Sequence, residues 1–185
     1  MNRGDDSGSG ADAASTTTSV LVPATRSHLP VLANLFQLYC HDFSELLGLS
    51  VAEDGRFATP DLTPYFEETW CHPFLIRVDD RWAGFVLAQQ RSRLTDDRQT
   101  WDVAEFFVMR AFRRTGIGTQ AATEVFDRFP GRWEVRQLPA NTAATAFWRK
   151  VLTRYTGGAV TETVHDSDGW KGPVQTFVSG SRAAG

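Results

Sequence analysis

Glu105 stands alone among apolar neighbours in the run AEFFVM, residues 104–109. A carboxylate in such surroundings loses hydration in its charged form and holds a proton more tightly, which strengthens it as a base. Burial among Trp101, Phe106 and Phe107 would have this effect. Eight residues after Glu105, RRTGIGT at 113–119 offers different chemistry. A helix opening at a glycine turn presents unpaired amides and the positive end of its dipole. Phosphate groups bind there without any side chain. Gly116 and Gly118 carry no Cβ to hold a phosphate off the backbone, and Arg113 and Arg114 can add charge-assisted contacts. The turn is not a Walker loop, because Thr119-Gln120 follow Gly118 where Lys-Ser/Thr is required. It has two glycines where a dinucleotide-binding turn has three. By itself it also fits a tight strand-to-helix turn with surface arginines.

The elements around these residues follow from periodicity and punctuation. A short strand over 19–22 opens the pattern. Thr25 caps a helix over 26–41, with Leu29, Leu32, Leu35, Phe36 and Tyr39 at helical spacing. A second short helix is expected over 43–49, and a third from Thr63-Pro64 to Trp70. Strands over 73–78 and 82–90 form a hairpin through Asp79-Asp80-Arg81. A polar loop leads to a strand over 102–109, and a helix over 116–129 ends at Pro130-Gly131. A strand over 133–138 follows. Asn141 caps a helix that faces Ala144, Phe147, Val151 and Leu152 inward and stops at Gly157-Gly158. Two strands, over 159–165 and 173–178, complete one α/β domain spanning 19–180 with a mixed sheet.

Composition narrows the function. Net charge is −3 and no basic stripe covers a face, which argues against long nucleic acid as a partner. No apolar run approaches the ~20 residues that span a bilayer. Residues 1–18, rich in Gly, Ser, Asp and Ala, read as a disordered tail with no secretory signal. Two cysteines cannot make a disulfide framework and point to a reducing cytoplasm. Cys40-His41 and Cys71-His72 are adjacent pairs whose side chains diverge, so no metal is expected.

The turn has a companion. RRTGIGT fits the pattern Arg/Gln-x-x-Gly-x-Gly/Ala directly after an apolar strand. About two dozen residues later, NTAATAFWRK at 141–150 has the form Asn-x-x-Ala-x-x-Phe-aromatic-x-Lys. Together these motifs resemble the GNAT superfamily of acetyl-CoA-dependent N-acetyltransferases. Their order and spacing make the pair far more specific than either alone.

The resemblance implies a single-domain, mostly antiparallel mixed sheet flanked by helices and splayed between its two central strands. It implies acetyl-CoA as co-substrate, with the pyrophosphate on the backbone of Arg113, Arg114, Thr115, Gly116, Ile117, Gly118 and Thr119. Main-chain groups of Phe107, Val108 and Met109 would hold the pantetheine arm and polarise the thioester carbonyl at a bulge. Asn141 would contact the same arm, or simply cap its helix. Many family members carry a tyrosine acid where this chain has Trp148, whose indole does not give up a proton near neutral pH. Trp148 would shield the sulfur or pack in the core.

Glu105 is the expected base that deprotonates an amine acceptor. Strand register decides between that role and a pairing with Arg136 on the other sheet face. Glu134 is the rival base on the neighbouring strand. Tyr39, Asp42 and Glu45 would form an acidic, aromatic wall for a small cationic amine. A protein lysine or N-terminus is the alternative acceptor, and a non-catalytic acyl-CoA-binding domain the alternative class. Domains of this kind often dimerise, so a homodimer is also open.

Overall fold

The computed structural model describes residues 20–180. The expected tail at 1–18 lies outside the described residues. Seven strands form one sheet: β1 (Leu21–Pro23), β2 (Cys71–Val78), β3 (Arg81–Gln89), β4 (Thr100–Val108), β5 (Gly131–Arg136), β6 (Val160–Ser167) and β7 (Trp170–Ser179). Their spatial order is β1-β2-β3-β4-β5-β7-β6. Every neighbouring pair is antiparallel except β4 and β5. Helices α1 (Leu29–Leu47), α2 (Pro64–Glu67), α3 (Ile117–Arg128) and α4 (Thr142–Thr156) flank it.

The sheet separates two cores. On one face, Leu32, Leu35, Phe36 and Cys40 of α1 pack on Leu75, Phe85, Leu87 and Phe107. On the other, Ala121, Val125 and Phe126 of α3, with Trp148, Val151 and Leu152 of α4, cover Trp101, Val103, Trp133 and Phe177. A parallel β4–β5 pair needs a crossover, and α3 supplies it.

Three helix boundaries differ from expectation. The capped segment at Thr25 is a 3-10 turn, Arg26–His28, with Thr25 and His28 forming a capping box. The helix after it runs on through 43–47 as part of α1, because no Gly or Pro interrupts it before Gly48, where φ is +63°. The third helix shrinks to α2, four residues long.

Two features open the middle of the sheet. β4 and β5 pair only at Thr100, Trp101 and Asp102 against Arg132, Trp133 and Glu134. Beyond Asp102, β4 stays with β3 to Val108 while β5 stays with β7 to Arg136, so the two strands diverge. The β3–β4 register also shifts: Leu87 pairs with Glu105 but Ala88 with Val103. Ala104 is thus the extra residue of a β-bulge. An inserted residue reverses the alternation of side chains beyond it. Glu105 therefore leaves the Trp101–Val103 face and joins the α1 face with Phe107, while Phe106 turns to the α4 face.

Candidate active site

Glu105 lies three residues past the last β4–β5 pair, at the rim of the gap. Tyr39 Oη donates a 2.5 Å hydrogen bond to Glu105 Oε2. The Tyr39 ring is fixed edge-on by Phe36, Phe85 and Phe107, at centroid distances of 5.2, 5.7 and 5.8 Å, and meets Phe43 at 4.4 Å. Burial pushes the Glu105 carboxyl above its ordinary value; the Tyr39 hydrogen bond, Arg93 and Arg136 oppose the rise. Burial also raises the Tyr39 and Tyr65 phenols, and the Glu105 charge adds to both shifts. Tyr65, on α2, is thus a neighbour that no spacing rule in the sequence connects to Glu105.

The expected alternative partner of Glu105 is engaged elsewhere. Arg136 holds Asp102 through bonds of 3.0–3.2 Å, and Gln89 Nε2 donates to the same carboxylate at 3.0 Å. Burial lifts the Asp102 carboxyl to about 6 even though Arg136 pulls it down. Glu134 is likewise committed. It accepts from Ser92 Oγ and the Arg93 amide, both at 2.8 Å, and so pins the loop between β3 and β4. With both oxygens bonded to that loop, Glu134 anchors it.

At the far end of β4 the chain builds the turn. Arg114 and Gly116 take positive φ, +63° and +93°. No side chain caps α3, and its first internal bond runs from the Gln120 amide to the Gly116 carbonyl. The amides of Ile117, Gly118 and Thr119 are therefore left pointing out of the helix end. The two glycines have separate reasons. Gly116 is needed for its φ, since a Cβ there would touch nothing within 4 Å. A Cβ on Gly118 would lie 3.4 Å from the Phe147 ring. Open space before Gly116 and an uncapped amide row fit a phosphate group.

Arg113 does not reach outward as expected. Its Nε donates to the Val108 carbonyl at 2.7 Å and its Nη2 to Asp42 Oδ2. Arg110 Nε, absent from the sequence-based expectations, bonds Asp42 Oδ1 at 2.8 Å. Asp42 thus ties α1 to the turn. Arg114 is exposed and Thr115 Oγ1 bonds the Phe112 carbonyl at 2.7 Å. Tyr39, Asp42 and Glu45 do not form the single wall expected of them. Tyr39 faces Glu105, Asp42 faces two arginines and Glu45 is exposed.

The main chain lining the gap is also more selective than expected. The Met109 amide donates to the Ala83 carbonyl at 2.8 Å, toward β3. Alternation turns the main chain of Phe107 the same way and leaves that of Phe106 and Val108 facing the gap. On the α4 side, Phe106 and Phe147 stand 5.8 Å apart, with Trp148 beneath them at 5.0 Å from each. Trp148 is 5% exposed and belongs to the core. Asn141 Oδ1 caps α4 through the Ala144 amide at 3.0 Å. Among the described residues, no three His, Cys, Asp or Glu side chains gather as a metal-binding group, and no helix is long and apolar enough to cross a membrane.

A sheet opened between parallel central strands, with an uncapped glycine turn following one of them, is an arrangement that can hold a phosphate-bearing ligand along the gap. The chain belongs to the acetyltransferase (GNAT) family, whose model matches residues 32–152. It is an acetyl-CoA-dependent acyltransferase. Solved structures share its fold at low sequence identity. An acetyltransferase from Thermus thermophilus superposes with a TM-score of 0.65 at 17% identity, covering 85% of this chain and 95% of that one. The ribosomal-protein-S18-alanine N-acetyltransferase from Escherichia coli gives 0.55 at 11%, covering 89% and 96%. A putative streptothricin acetyltransferase from Bacillus anthracis str. Ames, in complex with acetyl coenzyme A, gives 0.50 at 10%, covering 65% and 69%. No curated protein matches the chain by sequence.

Proposed function

We propose that this enzyme transfers the acetyl group of acetyl-CoA to the primary amine of a small cationic molecule, by direct attack within a ternary complex. One observation carries the reading: the bulge at Ala104 places Glu105, base-strengthened by desolvation, at the rim of the gap. An amine with pKa near ~10 arrives protonated at neutral pH. Glu105 attracts that cation and takes its proton, directly or through one water. The aromatic rings of Tyr39, Phe43 and Tyr65 suit a cation, and Glu45 adds an outer acidic charge. Because two arginines occupy Asp42, its part in acceptor binding is smaller than the sequence suggests.

Acetyl-CoA supplies the activated acyl group. The amides of Ile117, Gly118 and Thr119, with the exposed Arg114 and Thr115, suit its pyrophosphate. The main chain of Phe106 and the Val108 amide would bind the pantetheine arm and polarise the thioester carbonyl. The side-chain NH₂ of Asn141 is left for the same arm. Phe107 and Met109 contribute packing, Arg113 orders the turn, and Trp148 supports Phe106 and Phe147 from below. With no tyrosine at position 148, the departing thiolate is protonated from solvent or by the acceptor. We place the enzyme in the cytoplasm, with neither nucleic acid nor membrane as partner and a homodimer as its open assembly option; its two cysteines are buried and unbridged.

Two measurements test this. Calorimetry with acetyl-CoA is expected to show micromolar binding. Thiol release against a panel of amines is expected to favour small polyamine-like or aminoglycoside-like cations over peptides bearing lysine or a free N-terminus. Turnover of the peptides alone would move the acceptor to a protein, and no turnover with any amine would remove N-acetylation.

A further inference from the structure

We propose that Tyr39 is a positioning residue for this reaction: its hydroxyl orients the Glu105 carboxylate and keeps it ionised for the incoming amine. The inference rests on Glu105 being the base. Its geometric basis is a 2.5 Å bond between two half-buried side chains on different elements, α1 and β4. The bulge that turns Glu105 away from the α4 face is what brings it under Tyr39. Four aromatic rings hold the phenol, so its hydroxyl has a fixed direction.

A desolvated carboxylate without a donor would keep its proton, and a protonated Glu105 cannot accept another. The other groups that bear on it are Arg93 from the β3–β4 loop and Arg136 from β5, which favour its charged form, and Tyr65 from α2 and Cys40 from α1, whose own ionisation its charge opposes. Arg136 is shared with Asp102 and the Arg93 side chain is exposed. Among these, Tyr39 is the neighbour that bonds Glu105 directly. This also gives α1 a task in the reaction beyond covering the sheet.

The sign is fixed by the bond. Tyr39→Phe keeps the ring and its packing but removes the donor. The ionised form of Glu105 loses its partner, so its titration moves to higher pH. The readout is ¹³C NMR of glutamate-labelled enzyme without any ligand, with the Glu105 signal assigned by its absence in Glu105→Gln. Tyr39→Phe should move that titration to higher pH. The acidic limb of the kcat/KM profile should move with it, with activity down roughly tenfold at neutral pH and recovering at alkaline pH. Incorporating 3-fluorotyrosine at position 39 strengthens the donor and should move both midpoints to lower pH. An unmoved Glu105 titration in both variants overturns the proposal, as does a uniform rise in KM with an unchanged pH limb. If Glu105→Gln keeps full activity, the base assignment fails, while the ligand-free titration still reports whether Tyr39 controls Glu105.

Discussion

Glu105 can act on an ammonium only in its ionised form, and burial works against that form. The Tyr39 hydroxyl and two arginine charges oppose the burial without cancelling it, leaving the carboxyl above its ordinary value. Activity should therefore fall as pH drops through a limb lying above the usual glutamate range. Glu105→Gln keeps the shape but removes the base, so kcat/KM should fall about 10²–10⁴-fold and the acidic limb should vanish. Steady-state profiles of both proteins on one good acceptor check this. Unchanged binding of acetyl-CoA to the variant would separate loss of the base from loss of the site.

At the scale of elements, the gap depends on how closely β3 and β4 approach before the turn. A Cβ on Gly84 would lie 2.0 Å from the Phe107 carbonyl oxygen, a main-chain atom that cannot swing aside. Gly84→Ala should cost about 1–3 kcal/mol of stability and displace the strand carrying Glu105, Phe106 and Val108. Urea unfolding reads the first effect and acetyl-CoA affinity the second. Where β4 and β5 part, they are tied by Asp102 and Arg136, whose side chains are 0% and 7% exposed. Asp102→Asn strips a buried guanidinium of its counter-charge, at a cost of about 3–5 kcal/mol. The expected result is a lower denaturation midpoint. A stability equal to that of the parent would show that the pair does not close the sheet below the gap.

For the whole molecule, binding and folding are linked because the phosphate turn, the gap and the crossover helix α3 belong to one folded unit. A ligand that binds only the folded state stabilises it by about 2.7 kcal/mol at a hundred times its Kd. For a domain of this size that corresponds to roughly 5–10 °C in Tm. Acetyl-CoA should produce such a rise, and free acetate none, in a thermal melt. Absence of the shift at saturating acetyl-CoA would contradict binding to the turn.

The turn and its helix were legible in the sequence because the physics there is local. Gly116 and Gly118 read as a bare turn, Asn141 as a cap, and 116–129 as a helix closed by Pro130-Gly131, each set by residues a few places apart. The order of strands and helices follows for the same reason, as does the likeness carried by the two motifs. The continuation of α1 past Phe43 has a sequence signal that the two-helix expectation passes over: no Gly or Pro stands between the two segments before Gly48. Asp42 looks free in the sequence because Arg110 and Arg113 meet it from 68 and 71 residues away. Above all, the face taken by Glu105 depends on the bulge at Ala104. A bulge exists only relative to a partner strand, and β3 supplies that partner. Sequence alone therefore determined that a carboxylate and an anion-binding turn would share one strand end. Only the tertiary pairing of β3 with β4, and the packing of α1 above them, decided that the carboxylate would face Tyr39.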